Sequence, residues 1–292
     1  MKKSLKSVLD ICVYSNLFVA VCAYFFSWQA KVYYYYQWFY EGADAYPLLF
    51  ALSVFFVYGI QRLFLIHKLS KMARPVRNLS ERSEWLLQNK FLMALLLSTA
   101  GIAIAYLVFF ISWKLIIYFL PFLLVSILYF AGPFPLRKIR GLKSFLIAAV
   151  WALVAFGIPV LLFGFSKFGI SYFYFAMAQF FLIATLCLPF DIRDYAEDIS
   201  HKINSLPVVI GITKSKWLGV FLTALYFCFA LKSAYLVGAN LIFSTTLTSV
   251  YMLTVLIFSS PARSPYFFSF FGDGGILFQT LIQFLFLFLS FA

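Results

Sequence analysis

The sequence predicts an all-α, polytopic membrane protein, and three observations carry that prediction. Of its 292 residues, 64% are hydrophobic and only 11% are charged, against about 25% charged residues in a soluble domain. The charges are gathered into short connections between long uncharged runs. Their signs are also unevenly divided between alternate connections. This composition excludes a soluble globular enzyme, a disordered chain and a disulfide scaffold.

The uncharged runs cover residues 11–30, 45–61, 91–113, 115–136, 144–166, 168–190, 217–231, 233–262 and 274–292. Crossing the hydrocarbon core takes about 20 mostly apolar residues in a helix. The two shortest runs extend past Arg62 and Lys232, whose long side chains can snorkel to the interface. Backbone polar groups must be satisfied inside lipid, and unbroken runs of this length point to helices rather than a barrel. Nine transmembrane helices are therefore expected. The connections are too short for a separate soluble domain, so residues 1–292 are read as one transmembrane domain.

Lys and Arg set the orientation. Nineteen of the 23 lie on the side that holds the N-terminus, and only Lys31, Lys114, Lys167 and Lys232 lie opposite. The expected topology has the N-terminus in the cytoplasm and the C-terminus outside, in a membrane such as the bacterial cytoplasmic (inner) membrane. The formal charge of +13 is then mainly a topology signal, and nucleic acid is not expected as a partner. No A-x-A-like cleavage site follows the first run, so that helix is expected to be retained. Tyr33 to Tyr36, with Trp28 and Trp38, fit an aromatic belt at the outer interface. Cys12, Cys22, Cys187 and Cys228 fall in the runs without metal-ligand spacing and read as packing residues. Gly157-Ile158-Pro159 marks either a broken span or a tolerated proline kink.

Carboxylates at a membrane edge are costly and therefore functional candidates. Four of the ten acids sit in one stretch, PFDIRDYAEDISHKINSLPVVIG, residues 189–211. On a helix turning about 100° per residue, Asp191, Asp194 and Asp198 lie within about 60° of one another, Lys202 falls on the same face, and Glu197 is turned away. Pro207 is expected to end that helix. Converging like charges repel unless a cation neutralises them, and hard oxygen ligands suit Mg²⁺ bridged to substrate phosphates. The alternative is a solvated amphipathic helix lying on the membrane surface.

This stretch resembles the second aspartate-rich motif of the UbiA superfamily of intramembrane prenyltransferases. Asp191, Asp194, Asp198, Leu206, Pro207, Val208 and Gly211 stand in register with it, and Ser205 occupies the usual Thr position. Tyr129 with Pro135-Leu136-Arg137-Lys138 is similar to the family's basic loop. Arg74-Pro75 resembles the R-P after the first motif, and Phe271-Gly272-Asp273-Gly274 resembles a late D-G element. The first motif itself departs: residues 57–68, VYGIQRLFLIHK, contain no carboxylate.

The resemblance implies a UbiA-like helical bundle that transfers an isoprenoid chain from a prenyl diphosphate to a lipid-soluble, aromatic acceptor. In it, Mg²⁺ on Asp191, Asp194 and Asp198 assists ionisation of the diphosphate. Arg74, Arg137, Lys138, Lys202 and Arg62 become diphosphate clamps, and Tyr58, Gln61, Tyr129 and Asp273 substrate contacts. A guanidinium can take over part of a metal's neutralising role where the first motif is missing. Asp273 is either a substrate-orienting acid or a charge favoured by the dipole at the start of the last helix. Two other readings stay open: a non-catalytic relative that binds a prenyl lipid or a partner protein, and a transporter, although no internal repeat is evident.

Overall fold

In the computed structural model the structure describes residues 3–33, 45–70, 81–130, 135–164, 168–237 and 241–291. Among these residues all regular structure is helical, without strands. They divide into two compact units, residues 1–25 with 39–113, and residues 26–38 with 114–292.

The first unit draws on α1 (Lys3–Tyr14), the start of α2 (Leu17–Tyr33), α3 (Tyr46–Ser70), α4 (Glu81–Gln88) and α5 (Lys90–Ile111). Asn16 adopts φ 72°, a left-handed conformation that Asn tolerates better than most residues, and there the chain bends by 59° between α1 and α2. Such a break strands carbonyls at the end of α1. Arg82 answers them, donating from Nε to the Tyr14 carbonyl at 3.3 Å and from Nη2 to Asn16 Oδ1. Beside it, the Tyr14 hydroxyl donates to Glu81 at 3.0 Å. Helices α3 and α5 approach closely where Gly59 meets Leu97 and Gly101 meets Phe56. Ala20, Phe55, Leu97 and Ala100 form the buried apolar cluster around that crossing.

The second unit continues through α6 (Leu115–Phe130), α7 (Leu142–Ala152), α8 (Ile158–Phe163), α9 (Ile170–Arg193), α10 (Tyr195–Ser200), α11 (Leu206–Ile210), α12 (Ile212–Leu236), α13 (Ile242–Phe258), α14 (Pro265–Phe267) and α15 (Gly274–Phe291). A π-helical turn, Leu153–Gly157, joins α7 to α8. It leads directly into Pro159, so the Gly-Ile-Pro segment is a kink inside one continuous span, Leu142–Leu162. Helices α9 and α12 form the centre, packed where Gly219 faces Leu188 and Leu256. Phe26, Phe156 and Phe175 are stacked edge to face at 5.0 and 5.3 Å and fully buried, a geometry that pairs a positive ring edge with a negative face.

Five helices are long and apolar enough to cross a membrane: Tyr46–Phe64, Lys90–Ile111, Leu142–Leu162, Ile170–Arg193 and Ile212–Leu236. The bent pair α1 and α2 makes a sixth if it counts as one span. Leu115–Phe130 and Ile242–Phe258 are apolar but shorter. Each of the nine uncharged runs thus coincides with a described helix or bent pair, while five or six meet the length requirement. Many large side chains remain exposed along these helices, among them Phe91, Ile102, Phe109 and Phe221, a surface suited to lipid rather than water. The expected aromatic belt lies outside the described residues from Tyr34 onward. Trp28 packs its ring 5.7 Å from Phe284.

Candidate anion and metal site at the end of the α9 helix

Helix α9 carries Pro189 within its last turns, where the missing N–H removes one intrahelical hydrogen bond. The helix ends four residues later. Asp194 stands at φ −84°, ψ 6° between α9 and α10, and its carbonyl accepts the first α10 bond, from Asp198 N at 2.7 Å. The continuous helix expected through residue 202 is therefore broken in two. The break still leaves Asp191, Asp194 and Asp198 turned to one place, because α10 restarts at once.

The cation at that place is Lys143, at the start of α7. Its Nζ lies 3.0 Å from Asp191 Oδ1, 3.1 Å from Asp198 Oδ2 and 4.0 Å from Asp194 Oδ2. Asp191 and Asp198 are 2% and 3% exposed, so both carboxylates depend on protein donors for their solvation. The Ser144 hydroxyl donates to Asp191 Oδ2. Arg193 donates to both oxygens of Asp194, from Nε at 2.7 Å and Nη2 at 3.1 Å, the two-pronged geometry favoured between guanidinium and carboxylate. The Arg193 guanidinium also lies over Phe190 and Phe268, 5.1 and 5.5 Å from their centroids, an attraction typically worth about 0.5–2 kcal/mol.

Lys143 is held there by a local framework. Gly141 adopts φ 66°, a conformation that costs a residue with a Cβ strain, and donates its N–H to the Asn204 carbonyl at 2.8 Å. Asn204 in turn donates its side-chain amide to the Lys138 carbonyl at 3.1 Å. The basic segment 135–143 is thus laced to the turn that follows α10. Gly211, at φ 85°, makes the sharp reversal between α11 and α12. Pro207 sits in the first turn of α11, a position suited to proline because no N–H partner is needed there.

Around this framework the expected site residues separate. Tyr129 lies within electrostatic reach of Lys143, Asp191 and Arg137, so it and Arg137 belong to the same end of the unit. The Nε of Arg137 is buried without a hydrogen bond among the described residues. Asp273 lies in the π-helical turn Phe268–Asp273 just before α15 and within electrostatic reach of Arg193. Lys138 is exposed. Lys202 is corrected: it lies beyond α10 in a left-handed turn at φ 55°, exposed, and the described ion pairs of the three carboxylates run to Lys143 and Arg193 instead. Glu197 is exposed as expected and faces His201 at 3.9 Å. Tyr58, Gln61 and Arg62 lie on α3 in the other unit, and Arg74 lies outside the described residues.

The oxygen donors of Asp191, Asp194 and Asp198 have the right chemistry for Mg²⁺. In this arrangement, however, they are engaged by Lys143, Ser144 and Arg193, and the set does not fit a divalent ion. Among the described residues no group of three or more His, Cys, Asp or Glu side chains is placed to hold a metal. Lys143, Ser144 and Arg193 are the site residues that sequence reasoning missed. No protein-family model matches the chain, and no curated protein or solved structure matches it either.

Proposed function

We propose that the chain is a UbiA-like integral membrane prenyltransferase that moves an isoprenoid chain from a prenyl diphosphate to a lipid-soluble, aromatic acceptor. The reading includes a nine-span bundle in a bacterial cytoplasmic membrane, with the N-terminus inside and the C-terminus outside. The observation that carries it is the gathering of Asp191, Asp194 and Asp198 at one helix end beside the basic segment 135–143. Three carboxylates in a chain with ten acids are costly to bring together at the edge of a span, and the sequence around them resembles a diphosphate-handling motif.

In this reaction the C1–O bond of the allylic diphosphate breaks, leaving an allylic cation and pyrophosphate. An acceptor carbon then takes the cation and releases a proton. Negative charge develops on the departing oxygens, so fixed cations there lower the barrier. Arg137 is the leading candidate, because its Nε is buried and without a hydrogen bond among the described residues, with Lys138 beside it. Tyr129 has its electron-rich ring near the same charges and suits the cationic end of the substrate, while Asp273 is a substrate-orienting acid in the same unit. The test is labelled product in membranes given the protein, prenyl diphosphates of several lengths and an acceptor panel, with Mg²⁺ and with a chelator. Labelled lipid that disappears in Asp194→Ala supports the reading, and no turnover across the panel overturns it.

A second reading is favoured by one specific observation, the engagement of all three carboxylates by Lys143 and of Asp194 by Arg193. On that reading the chain is a non-catalytic UbiA-like relative that binds prenyl lipid or a partner protein. It predicts prenyl-diphosphate binding without Mg²⁺ and without pyrophosphate release.

A further inference from the structure

Lys143 stands where a divalent ion held by the three carboxylates would have to sit. Its Nζ is central to them, at 3.0, 3.1 and 4.0 Å. Three further oxygens are also occupied. Asp191 Oδ2 accepts from Ser144, and both oxygens of Asp194 accept from Arg193. A magnesium ion needs near-octahedral oxygen ligands at about 2.0–2.1 Å, and an ammonium in the middle of the shell both fills that space and repels a second cation. The charge is already largely cancelled. Three carboxylates face one ammonium and one guanidinium, which cancels much of the pull they would exert on a doubly charged ion.

We infer that Lys143 is the resident cation of this triad and that the chain takes no divalent ion there while Lys143 is in place. The triad and its cation then form a metal-independent unit. Lys143 suits that role because an ammonium is a compact point charge with three donors that can be shared among several oxygens. Its rigid placement follows from the Gly141–Asn204–Lys138 lacing just upstream.

The experiment is direct Mn²⁺ binding to the purified full-length protein, followed by the electron paramagnetic resonance signal of free Mn²⁺, with no prenyl substrate present. The wild type should leave the free signal unchanged, and Lys143→Gln should take up about one Mn²⁺ per chain, lost again in Lys143→Gln with Asp191→Asn. Lys143→Arg, which keeps the charge, should bind no more than the wild type. Stoichiometric Mn²⁺ uptake by the wild type that disappears in Asp191→Asn overturns the inference, and this comparison needs no Lys143 variant to fold. A folded Lys143→Gln protein that binds no Mn²⁺ also overturns it. Prenyl transfer is read separately, by product formation, so failure of the one leaves the other standing.

Discussion

Among the described residues each unit contains a half-buried cation that ties helices together, Arg82 in the first and Lys143 in the second, and the two do different work. In the first unit Arg82 meets backbone carbonyls and an amide oxygen where α1 breaks into α2. The Tyr14 carbonyl is a group that a bent helix leaves unsatisfied, so that contact is explained by folding. In the second unit Lys143 meets three carboxylates, side-chain charges rather than backbone groups left by a helix end. A cation that repairs a backbone defect is structural. A cation that compensates side-chain charges brought together at a cost in desolvation marks a functional candidate.

The largest effect that separates the two is expected at Lys143. Replacing it with Met leaves Asp191 and Asp198 buried without their counter-ion, which costs about 3–5 kcal/mol. Asp191→Asn added to Lys143→Met should recover a large part of that loss, because the penalty belongs to the uncompensated charge. Unfolding in mixed micelles, measured for the two single variants and the double, gives the coupling. Strictly additive losses would break the comparison, since Lys143 would then act without reference to the carboxylates.

Residue types explain why this site was only partly legible in the sequence. The spans could be read because lipid demands long uncharged runs, and Asp191, Asp194 and Asp198 stood out because so few acids are present. Lys143 did not stand out. It is one of nineteen cations on the expected cytoplasmic side, and nothing local distinguishes it from its neighbours Arg140 or Lys138. Its role depends on a contact between α7 and α9 that no periodicity reports. Lys202 was assigned to the carboxylate face by extending one helix through the region. The break at Asp194 and the left-handed turn at Lys202 remove it. In the same way Arg82 was read as a topology charge, because the break at Asn16 falls inside an uncharged run.

Arg82→Met is the matching change in the first unit, with an expected loss of about 1.5–3 kcal/mol for hydrogen bonds made by a charged donor. Amide exchange should accelerate around residues 13–17, where the carbonyls of the break lose their partner, and Mn²⁺ uptake should stay as in the wild type. Unchanged exchange at the break would remove the structural reading of this contact.

Smaller effects sharpen the contrast at the helix crossings. A Cβ at Gly219 would lie 2.4 Å from Leu256 Cδ2 and 3.0 Å from Leu188 Cδ1, confined from two helices. At Gly59 the three nearest atoms all belong to the Leu97 side chain, the closest at 2.5 Å. Overpacking costs typically about 1–3 kcal/mol, against about 1 kcal/mol gained from helix propensity when Gly becomes Ala. Gly219→Ala should therefore lose about 1 kcal/mol net, and Gly59→Ala should be close to neutral, since one leucine end can turn aside. Equal losses at both positions in the same unfolding assay would contradict the tighter packing of the α9–α12 core.

A small effect is also expected at a neutral pair in the second unit. Gln29 on α2 donates from Nε2 to Thr280 Oγ1 on α15 at 2.6 Å, with both side chains buried. Thr280 passes its own hydrogen back to the Ile276 carbonyl at 2.8 Å, so its oxygen is free to accept and the pair is correctly polarised. Hydrogen bonds between membrane helices average about 0.6 kcal/mol, far below the charge compensation at Lys143. Gln29→Leu removes the donor together with Oε1, which has no partner among the described residues, and should cost no more than that average. Thr280→Val keeps the shape but strands the buried Gln29 amide, and should cost about 1 kcal/mol. The order of the two is the informative result. If Gln29→Leu were the more damaging, this neutral contact would be holding α2 against α15 by more than its hydrogen bond, and polarity alone would no longer rank the tethers of this protein.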